Sequence, residues 1–400
     1  MLKIGLGSPR YGSFTDSGTI SGFASAVEAI GFDSLWVGDR AVVPTQSRDP
    51  YPGGGPVPEE YRTFLDPVVT LSFLAHATRR LRLGTSTLNA PFYSPLLLAR
   101  SLTSVDILSE GRLDIGFGLG WSSDEYEAIG VPWRGRGARM EEILDVLDHV
   151  WSGSSAEYKG TLWTIPSAHI ETLPVQRPRP PVLLGGFTPA TLERIGRRAD
   201  GWAGVGLPVP QLEYVISQIR QIAEAAGRDP DALRTVVRVN PVVTAEAAPS
   251  DAVPHRGTVV QVSDYLLAAH AAGADEVLID LQQTARNAEE LTDLAHRFHE
   301  QLSEGQGSQA APLRADGGAT HGIGRGVERA HGRSNSRRAE SASHQGATAR
   351  PRPVAPVRLP LARSPGGPPV PVGPFRVEPS SPSNGLPWPR HGRPLQGYGN

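Results

Sequence analysis

SEGRLDIGFGLGWSSDEY, residues 109–126, places glycines at 116, 118 and 120, alternating with bulky residues, where an apolar strand ends. A hydroxyl-rich and acidic turn follows at once. A chain that gives up side chains at alternate positions lets its backbone approach something closely. That something is either an anion such as a phosphate, met by backbone N–H groups, or simply the next segment of a tight strand exit. The spacing is GxGxG. No GxGxxG is present, so a dinucleotide fingerprint is excluded, and the two readings stay open on spacing alone.

Outward from this stretch, short apolar runs alternate with amphipathic helices. On the N-terminal side lie the strands LKIGLG, SLWVG and LRLGTST, each followed by a helix of 3.6-residue period. Asp66-Pro67 and Ser94-Pro95 open the second and third helices, and Gly111 ends the third. RLDIGFG is the fourth strand. On the C-terminal side come PVLLGG, GWAGV, TVVRVNPVVT and EVLIDL, with a last helix whose apolar face is Leu291, Leu294, Phe298 and Leu302. Eight strand–helix units in about 300 residues predict an α/β fold of the closed (β/α)8 TIM-barrel type. A doubly wound sheet is the runner-up. Two connections are long: residues 38–65 after strand 2, and an insertion over 153–181 before strand 5 that contains a hairpin, EYKGTLWTI. Loops of that length are read as lids or binding loops.

The 400-residue chain carries a net charge of −2 and no cysteine. Disulfides and thiolate chemistry are excluded, and nothing draws the chain as a whole to nucleic acid. No apolar run reaches the roughly 20 residues of a membrane span, and the N-terminus lacks the pattern of a cleaved signal. The expectation is a soluble cytoplasmic protein with no membrane or nucleic-acid partner. The charge is unevenly spread: residues 305–400 hold 13 Arg, no Lys and 4 acids, a balance of +9 that leaves −11 on the first 304. Rich in Pro, Gly, Ser and Arg, this part has too little apolar surface to offset its ordering entropy. A barrel over 1–303 and a disordered tail over 304–400 are expected.

A barrel builds its active site from the C-terminal ends of its strands. That places Asp39 and Arg40 after strand 2, Ser86 and Thr87 at the end of strand 3, Gly118, Gly120, Trp121, Ser122 and Ser123 after strand 4, and Gly185 and Gly186 after strand 5, all on one face. The turn beyond Gly120 could present N–H groups, and Ser122 and Ser123 hydroxyls, to an anion. Asp39 either caps its loop or contacts a ligand. His76 and His149 read as packed or surface residues. His169, in the insertion, is a catalytic candidate. No histidine spacing suits zinc, and no GxSxG elbow occurs.

Five stretches, GFDSLWVGDR, LRLGTSTLNAPFYSP, LSEGRLDIGFGLGWSSDEYEAIGVPWRGRGARMEE, RPPVLLGGFTPATLERIGRRADGW and GTVVQVSDYLLAAHAAGADEVLIDL, occur in that order. Together they resemble the luciferase-like monooxygenase superfamily, with the nearest likeness to its branch using the deazaflavin coenzyme F420. The resemblance covers about residues 1–303. It implies a (β/α)8 barrel with a flavin or deazaflavin across the C-terminal face, and a non-prolyl cis peptide at Ser86-Thr87. It also implies cofactor contacts from Asp39, Ser86, Thr87, Gly118, Gly120, Trp121, Ser122, Gly185 and Gly186. Some deazaflavin dehydrogenases carry a histidine and a glutamate where this chain has Arg40 and Trp121, so their proton-transfer pair is missing and a sugar-phosphate substrate is disfavoured. The catalytic group is not identified. The implied function is hydride transfer between F420 and a small organic substrate. An FMN monooxygenase using O2 and a non-catalytic cofactor-binding barrel are the alternatives. The implied partners are a second copy in a homodimer and a flavin or F420 reductase supplying reduced cofactor.

Overall fold

The computed structural model of the chain describes residues 1–310. Eight parallel strands close into a barrel: β1 (Lys3–Gly7), β2 (Ser34–Val37), β3 (Arg82–Thr85), β4 (Leu113–Gly118), β5 (Val182–Gly185), β6 (Gly201–Val205), β7 (Arg234–Val239) and β8 (Glu276–Ile279). Each pairs with its sequence neighbours, and β1 closes the ring on β8 with Lys3 opposite Glu276. The expected TIM barrel is therefore the fold. Helices α1 (Ser17–Ile30), α2 (Pro67–Ala77), α3 (Pro95–Leu108), α4 (Ser123–Ala128), α5 (Arg136–Trp151), α6 (Pro189–Arg198), α7 (Val209–Ala225), α8 (Val259–Ala271) and α9 (Ala288–Ala310) follow the strands. Local chemistry starts them: Asp16, Asp66 and Thr188 accept first-turn N–H groups, and Thr258 with Gln261 forms a capping box.

Successive strand residues face opposite sides, so the barrel interior is filled in layers by every second residue. The lowest layer, at the N-terminal strand ends, is ionic. Asp114 accepts from Arg82 Nε at 2.7 Å and from Arg234 Nη1 at 2.8 Å, while Glu276 accepts from Arg234, Ser34 and the Trp36 indole. Above it lies an apolar layer of Trp36, Leu183, Ala203, Val236 and Leu278. The Trp36 ring occupies the space a side chain on Gly84 would need. The third layer, at the mouth, is almost bare: Gly7, Gly38, Gly118 and Gly185 supply inward positions without side chains, next to Arg238 and Asp280.

Among the described residues no helix is long and apolar enough to cross a membrane. Helix α9 continues past Leu302, where the last apolar face was expected to end, to Ala310. Gly305 lets this part of the helix lie close against α8, where a side chain would run into Leu267. The remainder of the expected disordered tail, residues 311–400, lies outside the described residues.

Candidate active site

The glycines that open β4's exit face a bulge in the neighbouring strand. β3 pairs with β4 through Leu83–Leu113 and Gly84–Asp114, and pairing resumes at Leu88–Phe117 and Asn89–Gly118. Between these rungs the chain swings out through Ser86 and Thr87, joined by a cis peptide bond as the resemblance implied. The Thr85 hydroxyl substitutes for the missing rung, donating to the Gly116 carbonyl at 2.8 Å and accepting from its N–H at 2.9 Å. A Cβ on Gly116 would fall on the Thr85 carbonyl oxygen, one on Gly118 would fall on the Thr87 hydroxyl, and one on Gly185 would come within 3.0 Å of the Thr87 methyl. Gly116 and Gly118 are thus bare because the bulge lies against them. Gly120, at φ +69, differs: it needs a left-handed backbone and borders Asn89 and Phe92.

Asp39 fastens the end of the bulge. Its carboxylate accepts from the Asn89 N–H at 2.9 Å and the Tyr93 hydroxyl at 3.2 Å. Burial pushes the carboxyl up to about 6 against these hydrogen bonds. The loop-fastening reading of Asp39 is thereby seen directly.

The floor of the mouth is a charged cluster. Arg10 Nη2 donates to Asp280 at 2.6 Å and Arg238 Nη2 donates to the same oxygen at 2.8 Å. Arg238 also donates to the Ser86 carbonyl and, from Nε, to Asn240 at 2.9 Å. Gln282 closes the cluster, accepting from the Arg10 N–H and donating to Ser8 and Asp280. Burial alone would raise the Asp280 carboxyl, but the charges of Arg10 and Arg238 outweigh it and hold it at about 2.

The long 38–65 loop closes over this floor. Arg48 pairs with Asp124 of α4, and Asp49 accepts from the Ser123 N–H at 2.6 Å. The Tyr51 ring meets the edge of Trp121 at 5.7 Å, its hydroxyl lies 3.3 Å from that of Tyr61, and Tyr61 accepts from Gln283 at 3.2 Å. Arg40 lies 4.9 Å from the Trp121 ring centre and 5.5 Å from that of Tyr61, with Glu125 at 3.5 Å. The loop thus bridges the mouth from the β4 side to the β8 side.

Asp39, Ser86, Thr87, Gly118, Gly120, Trp121, Gly185 and Gly186 gather at this mouth. One expectation is narrowed and one changes. In the turn after Gly120 the Ser123 N–H is taken by Asp49, while the buried Ser122 hydroxyl accepts from the Glu125 N–H and keeps its own O–H to donate. The 153–181 insertion is no lid. Its hairpin, Tyr158–Lys159 with Thr164–Ile165, hangs on Glu142 of α5, Gln176 is tied to Asp106 and Leu113 at the opposite end, and His169 is exposed. Arg10, Arg238, Asp280, Tyr51 and Tyr61 went unnoticed in the sequence. The available signal was a charge at an inward position of an apolar strand, as in TVVRVN and EVLID.

Residues 7–323 match the luciferase-like monooxygenase family. The chain is 27% identical over 213 residues to the F420-dependent glucose-6-phosphate dehydrogenase of Amycolatopsis mediterranei, covering 52% of this chain and 59% of that one. It is 35% identical over 130 residues to the oxygenase component of the flavin-dependent trigonelline monooxygenase of Acinetobacter baylyi, covering 32% and 36%. The solved structure of monooxygenase RslO1 from Streptomyces bottropensis superposes with a TM-score of 0.63 at 22% identity, over 76% of this chain and 100% of that one, a likeness of fold. The family match spans the strand ends, the bulge and the floor that build the mouth, and the chain belongs to the luciferase-like monooxygenase family.

Proposed function

We propose that the chain is an oxidoreductase that passes hydride between the deazaflavin coenzyme F420 and a small organic substrate at the barrel mouth. The observation that carries this reading is the shelf formed by Ser86, Thr87, Gly185 and Gly186, a surface mostly of backbone beside a cationic floor and under an aromatic loop. A flat tricyclic ring fits such a shelf, because its glycines present backbone there and a side chain on Gly185 would press on the Thr87 methyl. The coenzyme, when bound, supplies the hydride-carrying carbon. The chain's part is to orient and to exclude water. Asp39 holds Asn89 and Tyr93 and so fixes the shelf, Arg238 holds the Ser86 carbonyl, and the Tyr51–Tyr61–Trp121 cluster covers the mouth. Similarity to an F420-dependent dehydrogenase supports the choice of coenzyme.

Similarity to a flavin-dependent oxygenase component favours a second reading, an FMN monooxygenase fed by a partner reductase. Titrating the purified protein with F420 and FMN in parallel separates the two. The first reading expects F420 to bind at least tenfold more tightly, and the opposite order supports the second. Binding of neither leaves a non-catalytic barrel.

Gly120→Val is expected to lower coenzyme affinity at least tenfold while costing the fold only about 1–2 kcal/mol for a side chain at positive φ. Affinity and thermal midpoint measured side by side check this. Unchanged affinity in a folded variant removes Gly120 from the site.

Exposed apolar residues four apart on α2, Val69 and Phe73, and Leu97 and Leu108 on α3 support the expected homodimer. Light scattering that reads a monomer at micromolar concentration would dismiss it.

A further inference from the structure

We infer that the mouth takes a substrate bearing a carboxylate on a planar organic frame, and that Arg238 receives that carboxylate; the inference rests on the oxidoreductase reading of the same mouth. The starting point is a charge count. Arg10 and Arg238 both bond to Asp280, and among the described residues neither guanidinium has a second carboxylate within ion-pair distance. The other acceptors around them are neutral: the Ser8 carbonyl for Arg10, and the Ser86 carbonyl and Asn240 amide oxygen for Arg238. Two cations on one anion leave one positive charge without a partner.

Burial decides where that charge is felt. The side chains of Arg10 and Asp280 are 2% and 1% exposed, and that of Arg238 is 18% exposed. Arg10 and Asp280 form a closed pair within the floor, and Arg238 is the member through which the surplus reaches the mouth. A guanidinium held in one orientation by three acceptors is preorganised for a planar, two-oxygen anion.

The cover of the mouth gives the shape of the ligand. Tyr51, Tyr61 and Trp121 meet edge to face, with ring centres 6.1 and 5.7 Å apart for the two pairs that include Tyr51. Flat aromatic walls around a single cationic contact suit a flat acid. The second cation of the mouth, Arg40, has its charge answered by Glu125. It nevertheless leaves Nη1 buried without a hydrogen-bond partner, although its side chain is only 6% exposed. A ligand anion that reached Arg40 beside Trp121 would give that nitrogen an acceptor.

The test uses benzoate and its neutral isostere benzamide as probes of the full chain, with and without saturating F420, read by calorimetry. Benzoate is expected to bind at least tenfold more tightly than benzamide, and to lose that preference as salt is raised. F420 should leave benzoate bound. Arg238→Gln should abolish the preference, and Arg238→Lys should keep a reduced one. Where the glutamine variant does not fold, the lysine variant and the wild-type salt dependence carry the test. Equal binding of the two probes, a preference that survives in folded Arg238→Gln, or release of benzoate by F420 each overturns the inference; the last would give the anion position to the coenzyme itself. Failure of F420 to bind while benzoate keeps its Arg238-dependent preference removes the coenzyme and leaves the anion site standing.

Discussion

Gly116→Ala lowers the stability of the barrel by about 3 kcal/mol, although it adds a single methyl group. The methyl group would land on the Thr85 carbonyl oxygen, which belongs to the backbone and has no rotamer by which to withdraw. The Thr85 hydroxyl bonds both the N–H and the carbonyl of Gly116, so moving either strand also breaks the pair of contacts that replaces a ladder rung. Gly22→Ala is the internal control. It lies in α1 with nothing within 4 Å of its added methyl, and it should stabilise the helix by about 0.5–1 kcal/mol. Urea denaturation of both variants reads the difference. Equal stabilities would mean that the bulge is not packed on β4 as described.

Asp114→Ala removes about 3 kcal/mol by a different route. Asp114 is fully buried at the lower end of the barrel and accepts from two guanidinium groups. Without it, Arg234 keeps Glu276 but Arg82 has no carboxylate left. The low end of the range for a broken buried pair applies because the Arg82 side chain is 30% exposed, and water recovers part of the loss. Denaturation midpoints compared with wild type check the value. A change under about 1 kcal/mol would show that the ionic layer is not a support of the fold.

The barrel was legible in the sequence because its periodicities are local. LDIGFG, PVLLGG and EVLIDL are bounded by turn residues, and the helices between them carry caps such as Asp66-Pro67 and Thr188-Pro189 that work in the structure as their chemistry predicts. The gathering of strand ends on one face followed from the fold. The identity of the floor did not. Arg10, Arg238 and Asp280 are separated by more than two hundred positions in part, and their meeting depends on barrel closure, which no local period encodes. The reason for the glycines stayed open for the same cause: Thr87 approaches Gly118 across a strand pair, so spacing alone could not tell a phosphate from a neighbouring side chain. The cap role of Ser122 was hidden because a hydroxyl can accept from a helix N–H and donate to an anion at once, and spacing signals neither.

The central claim is that the coenzyme ring lies on the shelf at the barrel mouth, and a crystal structure of the chain with bound F420 measures it most directly. The account predicts the ring against Ser86, Thr87 and Gly185, beside Arg238 and beneath Tyr51 and Trp121. Coenzyme found instead in the outer groove between α5 and the insertion hairpin, where Arg134, Arg139 and Lys159 also offer positive charge, would contradict it.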